Sequence, residues 1–246
     1  MLCQLTGDLT VRSQIGVILP TYCESQNVEG LIAEIENLGL DASVLVVDDS
    51  SPDKTSEIVR KLQKRYANLL LYVRPQKGGL GSAITDGFRV FLSLANPPKF
   101  IITMDADYSH DPKSILQLLR RMKSGIGIVI GSRYCRGGNT AGWSWARKVI
   151  SRGANVVAKS VLGLNLHDCT SGFRCYSAEF VRAAVDSLQS QMYEIQLETV
   201  RQAFVRGFGI VEIPVLFTNR KHGKSKLTSA EVQGYTSYIF KNVIRS

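Results

Sequence analysis

Asp105 and Asp107, in the run MDADYSH, are the residues whose type and spacing point most directly to chemistry. They follow the apolar segment FIITM, so their carboxylates emerge where a predicted strand leaves the core. Two acids separated by one residue point to the same side of an extended chain. A cation between them relieves their repulsion. Mg2+ or Mn2+ suits oxygen ligands of this kind, with diphosphate oxygens completing the shell. Solvated turn acids are the plain alternative.

Two further polar clusters also close predicted strands: PTYCE at 20–24 and DDSSPD at 48–53. Asp, Ser and Pro form turns at strand ends without any function. Three such clusters at one sheet edge, however, are what a substrate crevice requires. Val47 and Asp49 end the second strand, where a carboxylate can accept hydrogen bonds from ribose hydroxyls or a guanine edge. KGGLGSA at 77–83 places Gly78 and Gly79 in a turn before a helix, without the spacing of a P-loop. The second half supplies cations: Arg133, Arg147, Arg152, Arg174, and Arg220, Lys221, Lys224 and Lys226 in NRKHGKSK. Arg binds phosphate in two-point geometry and Lys acts as a point charge. NRKHGKSK reads as a loop that could close over a bound diphosphate. Solvated surface charge is the alternative for several of these.

The elements that must position these residues alternate. IGVILP, ASVLVVDD, NLLLYVRP, KFIITMDAD and GIVIGSRY read as strands, separated by helical patterns such as NVEGLIAEIENLG, with Val28, Leu31, Ile32, Ile35 and Leu38 on one face. DPKSILQLLRRMKSG opens with an Asp N-cap and Pro at the first turn. Alternation of this kind predicts an α/β fold, a mostly parallel central sheet with helices on both faces. Ligands then bind at the carboxyl ends of the strands. The second half is less regular, with helices around FVRAAVDSL and EIQLETVRQAFVRG and a strand IVEIPVLF. In the last stretch, Val232, Tyr235, Ile239, Phe240, Val243 and Ile244 recur at helical spacing.

With 246 residues, 44% of them hydrophobic, the chain can build one sizeable core. No linker or repeat divides it, so a single domain over 1–246 is expected, with a core of about 15–227 and a C-terminal amphipathic helix over 228–246. The net charge of +9 favours anionic partners in general. The alternating plan carries no DNA-binding signature, so no nucleic acid partner is expected. Five scattered cysteines without a CxxC pair argue against a disulfide framework or zinc. The N-terminal segment has no long apolar run, and none elsewhere approaches the roughly 20 residues that span a bilayer.

Taken together, PTYCESQN, DDSSPD, LGSA, MDADYSH, GSRY, RKVISRGAN, TSGFR and NRKHGKSKL resemble, in order, the family 2 glycosyltransferases of the GT-A type. The resemblance runs from about Ile15 to Leu227. RKVISRGAN and GKSKL are most similar to the members that use dolichyl or other polyprenyl phosphates. It implies mannose transfer from GDP-mannose to a polyprenyl phosphate. Pro20, Tyr22, Glu24, Val47 and Asp49 would hold the nucleoside. Asp105, Ala106 and Asp107 would contact donor and metal, with Ser109 near the metal. Arg133, Arg220 and Lys226 would bind donor phosphates or sugar, and Arg147 and Ser151 the acceptor phosphate. Asp107, Arg133 and Arg147 would carry the catalytic load. Asp168 and Arg174 fall in the acceptor-side turn. Cys23 and Ser50 depart from the family's Asn and Gly.

The resemblance further implies a membrane surface as partner, small transmembrane accessory subunits, and residence on the cytosolic face of the endoplasmic reticulum, or the inner face of the plasma membrane outside eukaryotes. An inverting single displacement fits. A phosphate monoester is already anionic near neutral pH and needs no strong base, and His110, His167 and His222 are scattered in sequence. A polyprenyl-phosphate glucosyltransferase using UDP-glucose, or a non-catalytic nucleotide-sugar-binding subunit, are the alternatives.

Overall fold

The computed structural model describes residues 3–222 and Tyr238. A short strand β1 (Gln4–Thr6) precedes the alternating series β2 (Ile15–Thr21), α1 (Val28–Glu36), β3 (Ala42–Asp48), α2 (Thr55–Leu62), β4 (Leu69–Val73), α3 (Leu80–Ser93) and β5 (Phe100–Thr103). Runs such as ASVLVVD are buried at every position, as strands covered on both faces must be. Their alternate side chains feed two cores. Val17 and Leu19 pack with Leu31 and Ile32 of α1 and Val59 of α2. Ile18, Leu45 and Val47 pack with Phe88 and Phe91 of α3. α3 comes close because it presents Gly87 to the sheet. A Cβ there would stand 2.8 Å from Ile18 Cδ1.

After β5, Asp111 accepts a hydrogen bond from the Lys113 amide and opens a 3-10 turn (Pro112–Ser114) leading into α4 (Ile115–Arg121). Then come β6 (Ile126–Ser132), β7 (Asn139–Thr140), α5 (Trp145–Leu162), β8 (Arg174–Ser177), α6 (Ala178–Ala184), α7 (Ile195–Val205), β9 (Gly209–Pro214) and β10 (Leu216–Phe217). The main sheet has the order β1-β4-β3-β2-β5-β8-β6-β9, and β7 pairs with β10. β1 and β8 run antiparallel to their neighbours and the other pairings are parallel.

The mostly parallel sheet with helices on both faces is therefore present. Three local readings change. β1 and β8 are too short to carry a readable period. IVEIPVLF is two strands rather than one. Pro214 ends β9, and Leu216 pairs instead with Asn139. The helix read around FVRAAVDSL passes into a 3-10 turn at Val185–Ser187. Because β8 is antiparallel, its first residue, Arg174, lies at the same sheet edge as the carboxyl ends of β5 and β6. Apart from Tyr238, which packs against the α3-side core, the expected C-terminal helix lies outside the described residues. So does Lys226.

Candidate active site

At that edge lies a cleft of about 1060 Å³, lined from β2, β3, α3, the loop after β5, α5 and the segment after β10. Asp105 and Asp107 enter it from the loop after β5. Asp107 is 7% exposed. Its Oδ1 accepts the Ser109 amide at 3.0 Å and the Ser109 hydroxyl, and its Oδ2 pairs with Arg220 at 3.2 Å. Arg220 reaches it because the chain after β10 runs back along this loop. The Thr218 amide donates to Ser109 O and the Lys221 amide to Asp107 O. Asp105 opens further into the cleft. Burial first, and then the Asp107 charge, push its carboxyl up to about 7. A cation placed beside the two carboxylates would offset the repulsion between them. Among the described residues no cluster of three or more His, Cys, Asp or Glu side chains forms a cation cage. The two carboxylates and Ser109 supply oxygen ligands of the kind that suit a divalent ion, and substrate oxygens would have to complete its shell.

Pro20, Tyr22, Glu24 and Asp49 line the end of the cleft nearest β2 and β3. Lys77 Nζ stands 4.3 Å over the Tyr22 ring. Asp49 also organises the glycine turn. It accepts the amides of Gly78 and Gly79 at 3.2 and 3.1 Å and pairs with Arg74 at 2.6 Å. Gly79, at φ +95°, begins α3. Val47 is a correction. Its side chain is fully buried in the core against α3 and does not line the cleft, so only backbone is available for contact there.

The remaining wall combines cations and aromatics. Trp143 packs edge-on against Phe217 at 5.2 Å. The Arg147 guanidinium lies 3.9 Å from the Trp143 ring centre and Arg133 lies 5.6 Å from it. Ser144 caps α5 by accepting the Arg147 amide. Ser151, two turns of helix inward, lines the cleft and bonds the Tyr134 hydroxyl at 2.7 Å. Burial, and then the charges of Arg220 and Arg133, pull the Arg147 pKa down. Such a group of guanidinium ions favours an anion.

Two predicted residues do more structural work than expected. Arg133 gives Nε and Nη2 to both oxygens of Asp168, each at 2.7 Å. Arg174 is fully buried, held by the carbonyls of Cys169, Ser171 and Gln196 and by Thr199, and does not line the cleft.

Sequence reasoning missed others. His110 is 2% exposed and stacks 5.0 Å from Phe173, with Nδ1 4.0 Å from Asp105 and neither ring nitrogen hydrogen-bonded. Burial pushes its pKa down to about 4, so the ring is neutral. Its place three residues after Asp107 was the available signal. Gln196, also buried with both amide atoms unbonded, lies near Gly172, where an added Cβ would stand 3.5 Å from its Nε2 and 3.5 Å from Asp105 Oδ1. Nothing in the sequence around Gln196 points there. Lys77, Trp143, Met192, Tyr193 and Asn219 complete the wall.

Residues 16–193 match the family described as Glycosyl transferase family 2. The polyprenol monophosphomannose synthase of Mycolicibacterium smegmatis is 34% identical over 219 residues, covering 88% of this chain and 82% of that protein. The dolichol-phosphate mannosyltransferase of Pyrococcus furiosus is 34% identical over 234 residues, covering 93% of this chain and 63% of that longer protein. Among solved structures, glucosyl-3-phosphoglycerate synthase from Mycobacterium tuberculosis, in complex with Mn2+, UDP and glucosyl-3-phosphoglycerate, superposes with a TM-score of 0.65 at 18% identity, over 96% of this chain and 81% of that one. A mannosyltransferase from Pyrobaculum calidifontis in complex with GDP-Man and Mn2+ gives 0.64 at 16% identity, over 98% and 67%. At these identities the structures establish the fold, which is of the GT-A type. Sequence and fold agree that the chain belongs to glycosyl transferase family 2.

Proposed function

We propose that the chain transfers mannose from GDP-mannose to a polyprenyl phosphate such as dolichyl phosphate, with inversion at the anomeric carbon. The observation that carries the reading is the joint presence, in one cleft, of the Asp105–Asp107 pair and the guanidinium groups of Arg133, Arg147 and Arg220. Two anionic substrates must meet there, and a site of that composition offsets their repulsion. The 34% identity to relatives named for mannose transfer to polyprenol and dolichol phosphates supports the choice of donor sugar and acceptor.

In this reading the nucleoside lies against Pro20, Tyr22, Glu24 and Asp49. Asp105, Asp107 and Ser109 hold a divalent ion, Mg2+ or Mn2+. When bound, the ion neutralises charge on the departing diphosphate. Arg133 contributes through a guanidinium fixed by Asp168, which turns its remaining edge to the cleft. Arg220 leaves Asp107 for the donor phosphates, and Lys226 assists it. Arg147 and the Ser151 hydroxyl hold the acceptor phosphate and orient its oxygen for attack. No general base is required of His110, which burial keeps neutral. Residues 1–246 act as one catalytic domain that meets its lipid substrate at a membrane surface, with small transmembrane subunits as candidate partners and the cytosolic face of the endoplasmic reticulum as the site in a eukaryote.

The test is transfer from labelled GDP-mannose to polyprenyl phosphate in detergent with Mg2+ or Mn2+. Metal-dependent mannosyl lipid, with UDP-glucose inert, is the expected result. Transfer from UDP-glucose instead would replace the donor assignment, and tight donor binding without turnover would replace the enzyme with a binding subunit.

A further inference from the structure

Tyr108 stands between Asp107 and Ser109 with left-handed backbone, at φ 64°. A bulky side chain seldom adopts that region, and where one does its surroundings impose it. The conformation reverses the chain within one residue, so that the Ser109 amide and hydroxyl both return to Asp107 Oδ1. Every carbonyl of this turn is also occupied. The Lys221 amide donates to Asp107 O, the Thr218 hydroxyl to Tyr108 O and the Thr218 amide to Ser109 O. The segment after β10 thus holds the turn from one side.

The Tyr108 side chain holds it from the other. Its ring is half-buried and packs against the α1-side core, with Lys221 Nζ 4.7 Å from the ring centre. The hydroxyl reaches α1, where it lies over Gly30 and donates to Glu34, one turn further along the helix. Gly30 is what admits it. A Cβ at position 30 would overlap the hydroxyl oxygen, yet it would stand 3.6 Å from Cζ, an ordinary contact. Gly30 sits inside α1 and has no left-handed backbone to explain it. A glycine there weakens the helix, and the space it leaves is filled by Tyr108.

α1 also fixes the other end of the cleft. It begins just after Tyr22 and Glu24, both of which line that end. The Asn27 and Val28 amides donate to Glu24 O at 2.9 Å each, and the Asn27 side chain donates to Glu24 Oε2 at 2.7 Å. One helix therefore holds Glu24 at its start and the Asp107 turn one to two turns later. We infer that Tyr108 is a positioning residue: seated on Gly30 and Glu34, it sets the Asp107–Ser109 turn at a fixed distance from Glu24. The cation ligands then stand where a nucleoside diphosphate can reach both ends. Tyr108 itself does not line the cleft. This inference deepens the proposed reading of Asp105, Asp107 and Ser109 as ligands of a divalent ion, and rests on it.

The experiment is Mn2+ binding to the full chain, followed by electron paramagnetic resonance with GDP present, with the melting temperature of each variant measured alongside. Gly30→Ala should weaken Mn2+ binding roughly tenfold, the scale of losing a group that only orients a metal ligand. Its melting temperature should hold or rise, because alanine favours the helix. A purely structural Tyr108 would leave the ion's affinity where it was. In a Tyr108→Phe background the added methyl meets only the ring, so Gly30→Ala should cost no further affinity there. Tyr108→Asn tolerates the left-handed backbone but has no ring to seat on α1, and the same loss of Mn2+ is expected. Variants that all bind Mn2+ as wild type does would overturn this inference alone. So would equal losses from Gly30→Ala in the tyrosine and phenylalanine backgrounds, which would place the effect in α1 and not in the hydroxyl. Wild-type protein that binds no Mn2+ would overturn the cation reading, and this inference with it.

Discussion

Arg133 and Asp168 form a two-point ion pair at the base of the cleft, with Nε and Nη2 each 2.7 Å from a carboxylate oxygen. Asp168 is fully buried, and it also accepts the amides of Arg133 and Thr170. Burial alone would raise its pKa, but the Arg133 charge and these hydrogen bonds outweigh it and hold the carboxyl below the ordinary range. A depressed acid stabilises the fold above its unfolded value of about 3.9 and loses that contribution as pH falls through the folded value. Asp168→Asn leaves Arg133 buried without its counter-charge and should cost about 3–5 kcal/mol at neutral pH. Urea midpoints of variant and wild type should then converge in acid, as pH falls through the lowered folded value of Asp168. A gap that stays constant with pH would mean that the pair is not what stabilises this turn.

The carboxylate pair yields a sharper test of the metal reading. Asp107 is already engaged by Ser109 and Arg220, whereas Asp105 faces the cleft with a raised pKa. Asp105→Asn and Asp107→Asn should each lower transfer by roughly a hundredfold or more, the scale of losing one preorganised electrostatic group. EDTA should do the same to wild-type protein. A direct readout comes from Mn2+ titration by electron paramagnetic resonance with GDP present. Wild-type protein should immobilise the ion and both variants should not.

Much of this was legible beforehand for a specific physical reason. Long strands buried on both faces, such as ASVLVVD, leave unmistakable apolar runs, and the acids that end them mark the ligand edge. Shorter elements leave no such trace. β1 has three residues and β8 has four. Arg174 was read as a cation beside the acceptor, yet it is fully buried among carbonyl oxygens. A charge buried against neutral acceptors cannot be told from a surface charge by residue type. Val47 shows the same limit from the other direction. Asp49 lies just past the end of β3 and lines the cleft, while Val47 is still inside the strand and shares with Leu45 the face packed into the core. His110 comes to Asp105 from the turn after β5, and Gln196 to the neighbouring Gly172 from a helix across the sheet edge, a placement that only the tertiary fold creates.

Arg147 provides a prediction on the acceptor side. Its guanidinium rests on Trp143 at 3.9 Å and bonds Asn219 at 3.4 Å, so its plane is held in place before any substrate arrives. Arg147→Ala should raise KM for the polyprenyl phosphate roughly tenfold to a hundredfold, the range of a lost charge-assisted contact, with KM for GDP-mannose little changed. Arg147→Lys should recover only part, because an ammonium lacks the planar fork that stacks on an indole. Steady-state kinetics with each substrate varied in turn separates the two effects. Equal increases in both KM values would place Arg147 on the donor instead.

The two departures from the family pattern make the last prediction. Cys23 and Ser50 stand where the family has Asn and Gly, and both have left-handed backbone, at φ 56° and 54°. Gly and Asn adopt that region readily, whereas an ordinary side chain carries a cost of roughly 1–2 kcal/mol. Ser50 recovers part of the cost through its hydroxyl, which donates to the Arg74 carbonyl at 2.5 Å. Cys23→Asn should therefore raise stability by about 1 kcal/mol, read as a higher urea midpoint with an unchanged slope. Ser50→Gly should be nearly neutral, since relief of the backbone is offset by loss of that hydrogen bond. The contrast between the two is the informative part. Equal stabilisation by both would show that the Ser50 hydroxyl contributes nothing. No gain from Cys23→Asn would show that the turn after β2 is held by its surroundings, such as the bond from the Cys23 amide to Ser51, strongly enough to make residue type irrelevant.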